Sequence, residues 1–125
     1  MIRSSLLVVT ALWITIASCS SDSEDTLNST NPPAGCDTTT ISFSTTITPL
    51  LNSYGCTSCH SGSAPSGNFM LTSYNNVKAK IDDGRLWGAI NHLAGFKPMP
   101  QDGNKMSDCD INKFRAWINR GALNN

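Results

Sequence analysis

The segment Cys56-Thr57-Ser58-Cys59-His60 combines two thiols and an imidazole within five consecutive residues. Two cysteines separated by two residues and followed directly by histidine form the attachment signature of a c-type haem. The spacing suits the chemistry, because thiols one helical turn apart reach the vinyl groups of neighbouring pyrroles while the next residue presents its imidazole to the iron. The sequence therefore predicts one covalent haem c, held by Cys56 and Cys59, with His60 as an iron ligand.

Two other interpretations of the cysteine pair are a zinc site and a redox dithiol. A zinc site needs a second pair of ligands, and a thioredoxin-like dithiol needs a βαβ context; the sequence shows neither. The chain has 125 residues, 14% of them charged, and a formal net charge of zero. These values limit it to one domain with appendages and give no indication of a nucleic-acid partner.

The N-terminal residues have the features of an export signal. Arg3 supplies a positive charge, and the apolar run 6–16 is too short to span a bilayer comfortably. The segment Ile16-Ala17-Ser18-Cys19 resembles the lipobox of bacterial lipoproteins, whose cysteine is acylated. We therefore expect residues 1–18 to be a lipoprotein signal peptide and Cys19 to anchor the exported chain to a bacterial membrane, facing the periplasm or the cell surface. The alternatives are an ordinary secretory signal, with Cys19 incidental, and an uncleaved anchor.

Residues 19–35 have the composition of a flexible tether. The segment 20–25 is polar and acidic, and 31–35 contains two prolines and a glycine. We expect the folded domain to begin after this tether and to cover residues 36–125.

Two of the five cysteines, Cys36 and Cys109, remain after these assignments. Export would place both in an oxidising compartment, where a remaining pair commonly forms a disulfide. Such a bond would join the first residue of the folded domain to the start of its last predicted helix. The alternative is two separate buried thiols.

From Cys36 onward the apolar spacing predicts helices joined by loops, and hence an all-α domain. The predicted buried stripes are Ile47, Leu50, Leu51 and Tyr54; Tyr74, Val77 and Ile81; Leu86, Ala89, Ile90 and Leu93; and Ile111, Phe114, Trp117 and Ile118. Ser44 is the predicted N-cap of the first helix. Pro49 fits that helix only if the helix starts near Thr48 or is kinked.

The sixth iron ligand has several candidates. Met99 lies in a loop braced by Pro98 and Pro100, which would present its side chain rigidly and outside any apolar stripe. A thioether at this position would close the iron to small ligands and raise its reduction potential. Met106 and His92 stay open as alternatives, as does a site with no sixth ligand.

Several of these segments follow the order seen in one family, the small monohaem cytochrome c domains of bacterial lipoproteins. They are 43–51, Cys56 to Ser61, 67–71, Met99-Pro100, and the terminal segment Trp117-Ile118-Asn119-Arg120-Gly121-Ala122. The chain resembles that family over residues 36–125. The resemblance implies an all-α cytochrome c-like fold wrapped around one haem, axial ligation by His60 and Met99, and one-electron transfer.

The function expected from these features is that of a membrane-tethered electron carrier whose partners are redox proteins. An enzyme is not expected, because the sequence has no second CxxCH, as a two-haem peroxidase would, and no Ser/His/Asp arrangement stands out. One alternative is a haem-based sensor or small-ligand-binding module with a displaceable sixth ligand. A more distant alternative is a surface protein whose haem is mainly structural.

Overall fold

All regular structure in the described part of the chain, residues 33–101 and 103–125 of a computed structural model, is helical. A π-helical turn (Phe43–Ile47) precedes α1 (Thr48–Ser53), α2 (Cys56–Cys59), a 3-10 turn (Ser66–Asn68), α3 (Tyr74–Asp82), α4 (Arg85–Ile90) and α5 (Asp108–Asn119). The predicted all-α class is confirmed. The predicted signal peptide, Cys19 and the tether as far as residue 32 lie outside the described residues. No helix within the described residues has the length and apolar character needed to cross a membrane.

The first helical segment begins earlier than its apolar stripe indicates. Ser42 has extended backbone angles and its hydroxyl accepts a hydrogen bond from the Thr45 amide, so Ser42 is the N-cap and the prediction of Ser44 was wrong. The physical reason is that an N-cap needs non-helical backbone, whereas Ser44 already lies inside the π-helical turn. The α-helix proper starts at Thr48, which places Pro49 in its first turn, where the missing N–H leaves no bond unmade.

Two of the later helices begin after serine N-caps. The hydroxyls of Ser73 and Ser107 accept bonds from the amides three residues ahead and cap α3 and α5. Helix α4 is shorter than predicted and ends at Ile90. Because His92 has a positive φ of 57°, the chain leaves helical geometry there, and Leu93 is 43% exposed instead of buried.

The core lies between α5, the first helical segment and the α3–α4 pair. Its fully buried members are Trp117, Phe114, Ile47, Leu51, Ile90 and Val77. The Trp117 ring lies 5.7 Å from the ring of Phe43, and its indole N–H donates to the carbonyl oxygen of Leu123 at 2.9 Å. These contacts hold the residues after α5 against the start of the domain.

A disulfide joins Cys36 to Cys109 across 73 residues, with the two Cα atoms 5.5 Å apart. The predicted pairing is therefore confirmed. The bond ties the segment before the π-helical turn to the first turn of α5. A hydrogen bond from the Arg120 guanidinium to the Thr38 carbonyl, at 2.7 Å, connects the same N-terminal segment to the other end of α5.

Candidate functional site

A cavity of about 750 Å³ opens between α2, α4 and the loops that follow them. This volume lies in the range of roughly 300–1,000 Å³ typical of pockets that enclose small molecules and cofactors. Much of the lining is apolar and comes from Leu71, Leu86, Ile90, Phe69, Phe96 and Met106. The size and lining of the cavity suit a large, mostly apolar ligand.

Both thiols of the CxxCH segment line this cavity. Cys56 and Cys59 occupy the single turn of α2 and are not bonded to each other. Burial raises the pKa of the Cys56 thiol above its usual range. A redox-active dithiol needs a lowered thiol pKa, so the surroundings of Cys56 do not favour a thiol that cycles with a disulfide.

His60 is the buried polar residue of the site, at 7% exposure, and its ring also lines the cavity. Its Nδ1 lies 2.9 Å from the carbonyl oxygen of Ser66. Since a carbonyl can only accept, Nδ1 carries the proton, and Nε2 keeps the lone pair that an iron ligand requires. The contact with Ser66 therefore leaves the Nε2 atom of His60 as the nitrogen that can bind a metal.

The structure separates the candidates for the sixth ligand. Met99 and Met106 both line the cavity, and Met106 is only 3% exposed, whereas Met99 is half-buried. His92 is exposed and not part of the lining; its Nε2 lies 3.1 Å from the Met99 carbonyl oxygen. Met99 and Met106 thus remain as candidates at the cavity, whereas His92 contacts the backbone of the Met99 loop.

The loop that carries Met99 is held against α4. The Met99 amide donates to the Ala89 carbonyl at 3.1 Å. The Phe96 ring lies directly on Gly88, where a Cβ would come within 2.5 Å of ring carbons. Only glycine allows this approach, and sequence analysis did not identify the role. A glycine inside an otherwise apolar helical stripe was the available signal.

Cationic side chains also line the cavity, namely Lys80, Arg85 and Lys97, and no aspartate or glutamate is found among the described lining residues. They come from α3, α4 and the following loop. Haem carries two propionate carboxylates, and lysine and arginine form charge-assisted hydrogen bonds with carboxylates. The sequence did not indicate that these three residues share the cavity, because they belong to α3, α4 and the following loop.

A polar network joins the cavity wall to the start of α5. Tyr54, a lining residue, donates its hydroxyl to the Asp110 carboxylate at 2.8 Å and accepts from the Ser107 amide at 3.0 Å. Lys113 binds the other oxygen of Asp110 at 2.9 Å. Burial by itself raises the pKa of Asp110, but the hydrogen bonds from these neighbours outweigh it, so the pKa of Asp110 lies below its ordinary value.

Replacing Asp110 with asparagine should destabilise the fold at neutral pH and flatten its acid dependence. Because the pKa of Asp110 is lower in the folded state than the value of about 3.9 in an unfolded chain, the ionised carboxylate stabilises the fold above roughly pH 5. That contribution disappears as the pH falls through the folded-state pKa. Urea unfolding midpoints of the wild type and D110N should therefore differ at pH 7 and converge in acid. Asp108→Asn, an exposed residue of the same turn, is the control, and identical pH profiles for the two variants would contradict the prediction.

Comparison with protein-family models, with curated proteins and with solved structures finds no match to this chain. Across residues 33–101 and 103–125, no three His, Cys, Asp or Glu side chains come together in a group that could hold a metal ion. The functional interpretation of the cavity therefore depends on the residues that line it.

Proposed function

We propose that residues 36–125 bind one haem c covalently and act as a one-electron carrier. The observation that carries the proposal is the position of His60, buried beside both CxxC thiols in one apolar cavity with its Nδ1 engaged and its Nε2 available. When bound, haem supplies reversible one-electron chemistry at its iron.

Each residue of the site has a distinct task in this proposal. Cys56 and Cys59 would hold the haem through thioethers to its vinyl groups, with the S–H bond of each adding across one double bond. His60 binds the iron through Nε2. Met99 would be the further iron ligand, because its loop holds it at the cavity while its side chain is not part of the packed core. The protein determines the orientation and burial of the haem.

The N-terminal sequence supports a location for this activity. The export signal and the lipobox-like segment ending at Cys19 are consistent with a lipid-anchored protein at a bacterial membrane, facing the periplasm or the cell surface. The proposed partners are other redox proteins, which would exchange electrons with the haem in turn. In this proposal the protein has no substrate chemistry of its own.

Replacing Cys56 and Cys59 together with serine should abolish covalent haem attachment. In cells that carry a c-type maturation system, the wild type should gain the mass of one haem, retain it on a denaturing gel, and show a reversible ferric-to-ferrous spectrum. The double variant lacks the nucleophilic sulfurs and should run haem-free. Mass spectrometry and haem staining check both results.

Ser58→Ala is the matched control, since it changes the same helical turn without removing a thiol. It should keep the haem. A wild type that matures without haem would overturn the proposal. A haem that binds carbon monoxide rapidly in the wild type would replace the electron carrier with the sensor or ligand-binding alternative.

A further inference from the structure

Three side chains, those of His60, Phe69 and Lys80, form a stack that includes the candidate iron ligand. The ring of Phe69 lies 4.2 Å from the ring of His60, with 20° between their planes. The ammonium of Lys80 lies 5.1 Å from the centre of the Phe69 ring. Neither Phe69 nor Lys80 had a role in the sequence-based predictions.

The backbone around Phe69 is shaped to allow this contact. Gly67 has a φ of +67°, and a Cβ at that position would come within 2.9 Å of the Phe69 ring. A side chain there would be strained and would also push the ring away from His60. On the next stretch of chain, the Leu71 amide donates to the His60 carbonyl at 2.8 Å and keeps the two segments side by side.

An ion pair with Asp83 restrains the side chain of Lys80. Lys80 lies on α3 and pairs with Asp83 at 3.0 Å, and its side chain is 20% exposed. The ammonium is therefore anchored over the aromatic ring instead of moving freely in solvent. A cation at this distance from a ring is attracted by the ring's quadrupole.

The hydrogen bond to Ser66 does not fully orient the imidazole. One N–H···O contact defines an axis, about which the ring plane can still turn. A ring stacked face to face removes that remaining freedom, because turning the imidazole would break the parallel contact.

We propose that Phe69 is a positioning residue for the iron ligand and that Lys80, over the Phe69 ring, biases the iron toward its ferrous form. Phe69 fixes the plane of the His60 imidazole and so fixes the direction in which the ligand's orbitals meet the iron. Lys80 holds a positive charge over the Phe69 ring, which would disfavour the more positive ferric state, although its pairing with Asp83 reduces the size of the effect. This inference rests on the proposed haem binding.

The first test replaces Phe69 in the haem-loaded, full-length protein. Phe69→Leu keeps an apolar side chain but removes the stack, whereas Phe69→Tyr keeps the ring and should behave as the wild type. The ferric electron paramagnetic resonance spectrum reports the ligand-plane orientation, so F69L should shift its g values and F69Y should not. Met70→Ala, at the adjacent and 41% exposed position, is the control and should leave the spectrum unchanged.

The second test compares two lysines of α3. Lys78 and Lys80 each pair with an aspartate on the same helical segment, but only Lys80 lies over Phe69. Lys80→Gln should lower the reduction potential by an amount that changes the ferrous-to-ferric ratio a few-fold, and Lys78→Gln should lower it clearly less. Because both changes leave the apolar core intact, this comparison stays informative if F69L fails to mature.

The outcomes separate this inference from the proposed function. A wild type with covalent, low-spin haem and an F69L spectrum identical to it would overturn the positioning role while leaving the electron carrier in place. Equal potentials for K80Q and K78Q would overturn the charge effect. A wild type without haem would overturn both the proposed function and the inference that rests on it.

Discussion

Replacing Met99 with alanine should abolish the weak far-red sulfur-to-iron charge-transfer band of the ferric protein and open the ferrous iron to carbon monoxide. The band requires a thioether on the iron, and alanine has none. Loss of the neutral sulfur should also lower the reduction potential, because a Met/His ligand pair favours the ferrous state. Absorption spectra of the two oxidation states, with and without carbon monoxide, measure each effect.

Met106→Ala is the matched control for this prediction. Its side chain also lines the cavity, but it is 3% exposed and belongs to the packed core. Its truncation should cost about 2–5 kcal/mol of the free energy of unfolding while the far-red band persists. If M106A loses the band and M99A retains it, Met106 is the sixth ligand and the assignment of Met99 was wrong.

Ligation by two histidines would give a different set of results. The wild type would lack the far-red band, His92→Ala would lose its low-spin spectrum, and the spectrum of M99A would match that of the wild type. The structure gives His92 a different position. Its Nε2 lies 3.1 Å from the Met99 carbonyl oxygen, so it contacts the loop and is not among the residues lining the cavity. We therefore expect H92A to keep the band.

Removing the disulfide, with Cys36 and Cys109 both changed to serine, should lower the free energy of unfolding by about 4 kcal/mol, because the bond closes a loop spanning 73 residues. Much of this effect arises in the unfolded chain, which gains freedom when the cross-link is absent. Guanidinium unfolding of the haem-loaded protein, followed by far-ultraviolet circular dichroism, measures the change.

The wild type treated with reductant serves as the control for the serine substitutions, and it should unfold at the same denaturant concentration as the double variant. Neither cysteine lines the cavity, so the far-red band should survive in the folded variant. An unchanged unfolding midpoint in both cases would show that the bond adds no net stability.

Local signals in the sequence were sufficient to predict several helices and the disulfide. Ser73 and Ser107 cap α3 and α5 through a hydroxyl and an amide three residues apart, a pattern that the local sequence contains. The pairing of Cys36 with Cys109 followed from counting the cysteines that other chemistry would use. Haem attachment, the lipid on Cys19 and electron transfer are still predictions.

Local signals failed where the backbone left regular geometry. The spacing of apolar residues placed Leu93 in a buried stripe, but the positive φ of His92 ends the helix before that residue. The π-helical turn before α1 moved the N-cap from Ser44 to Ser42 in the same way. A stripe predicts burial only as long as the helical period continues.

The sequence by itself determined the helical class, the position of the CxxCH turn and the candidates for the iron ligands. Only the tertiary structure decided which candidates share the cavity, which methionine belongs to the core, and which side chain packs against the His60 ring. Helical periods and caps are set by neighbours a few residues apart, whereas the stack of Lys80, Phe69 and His60 brings α3 onto the loop after α2. Such contacts depend on how the helices pack, and packing is a property of the whole folded chain.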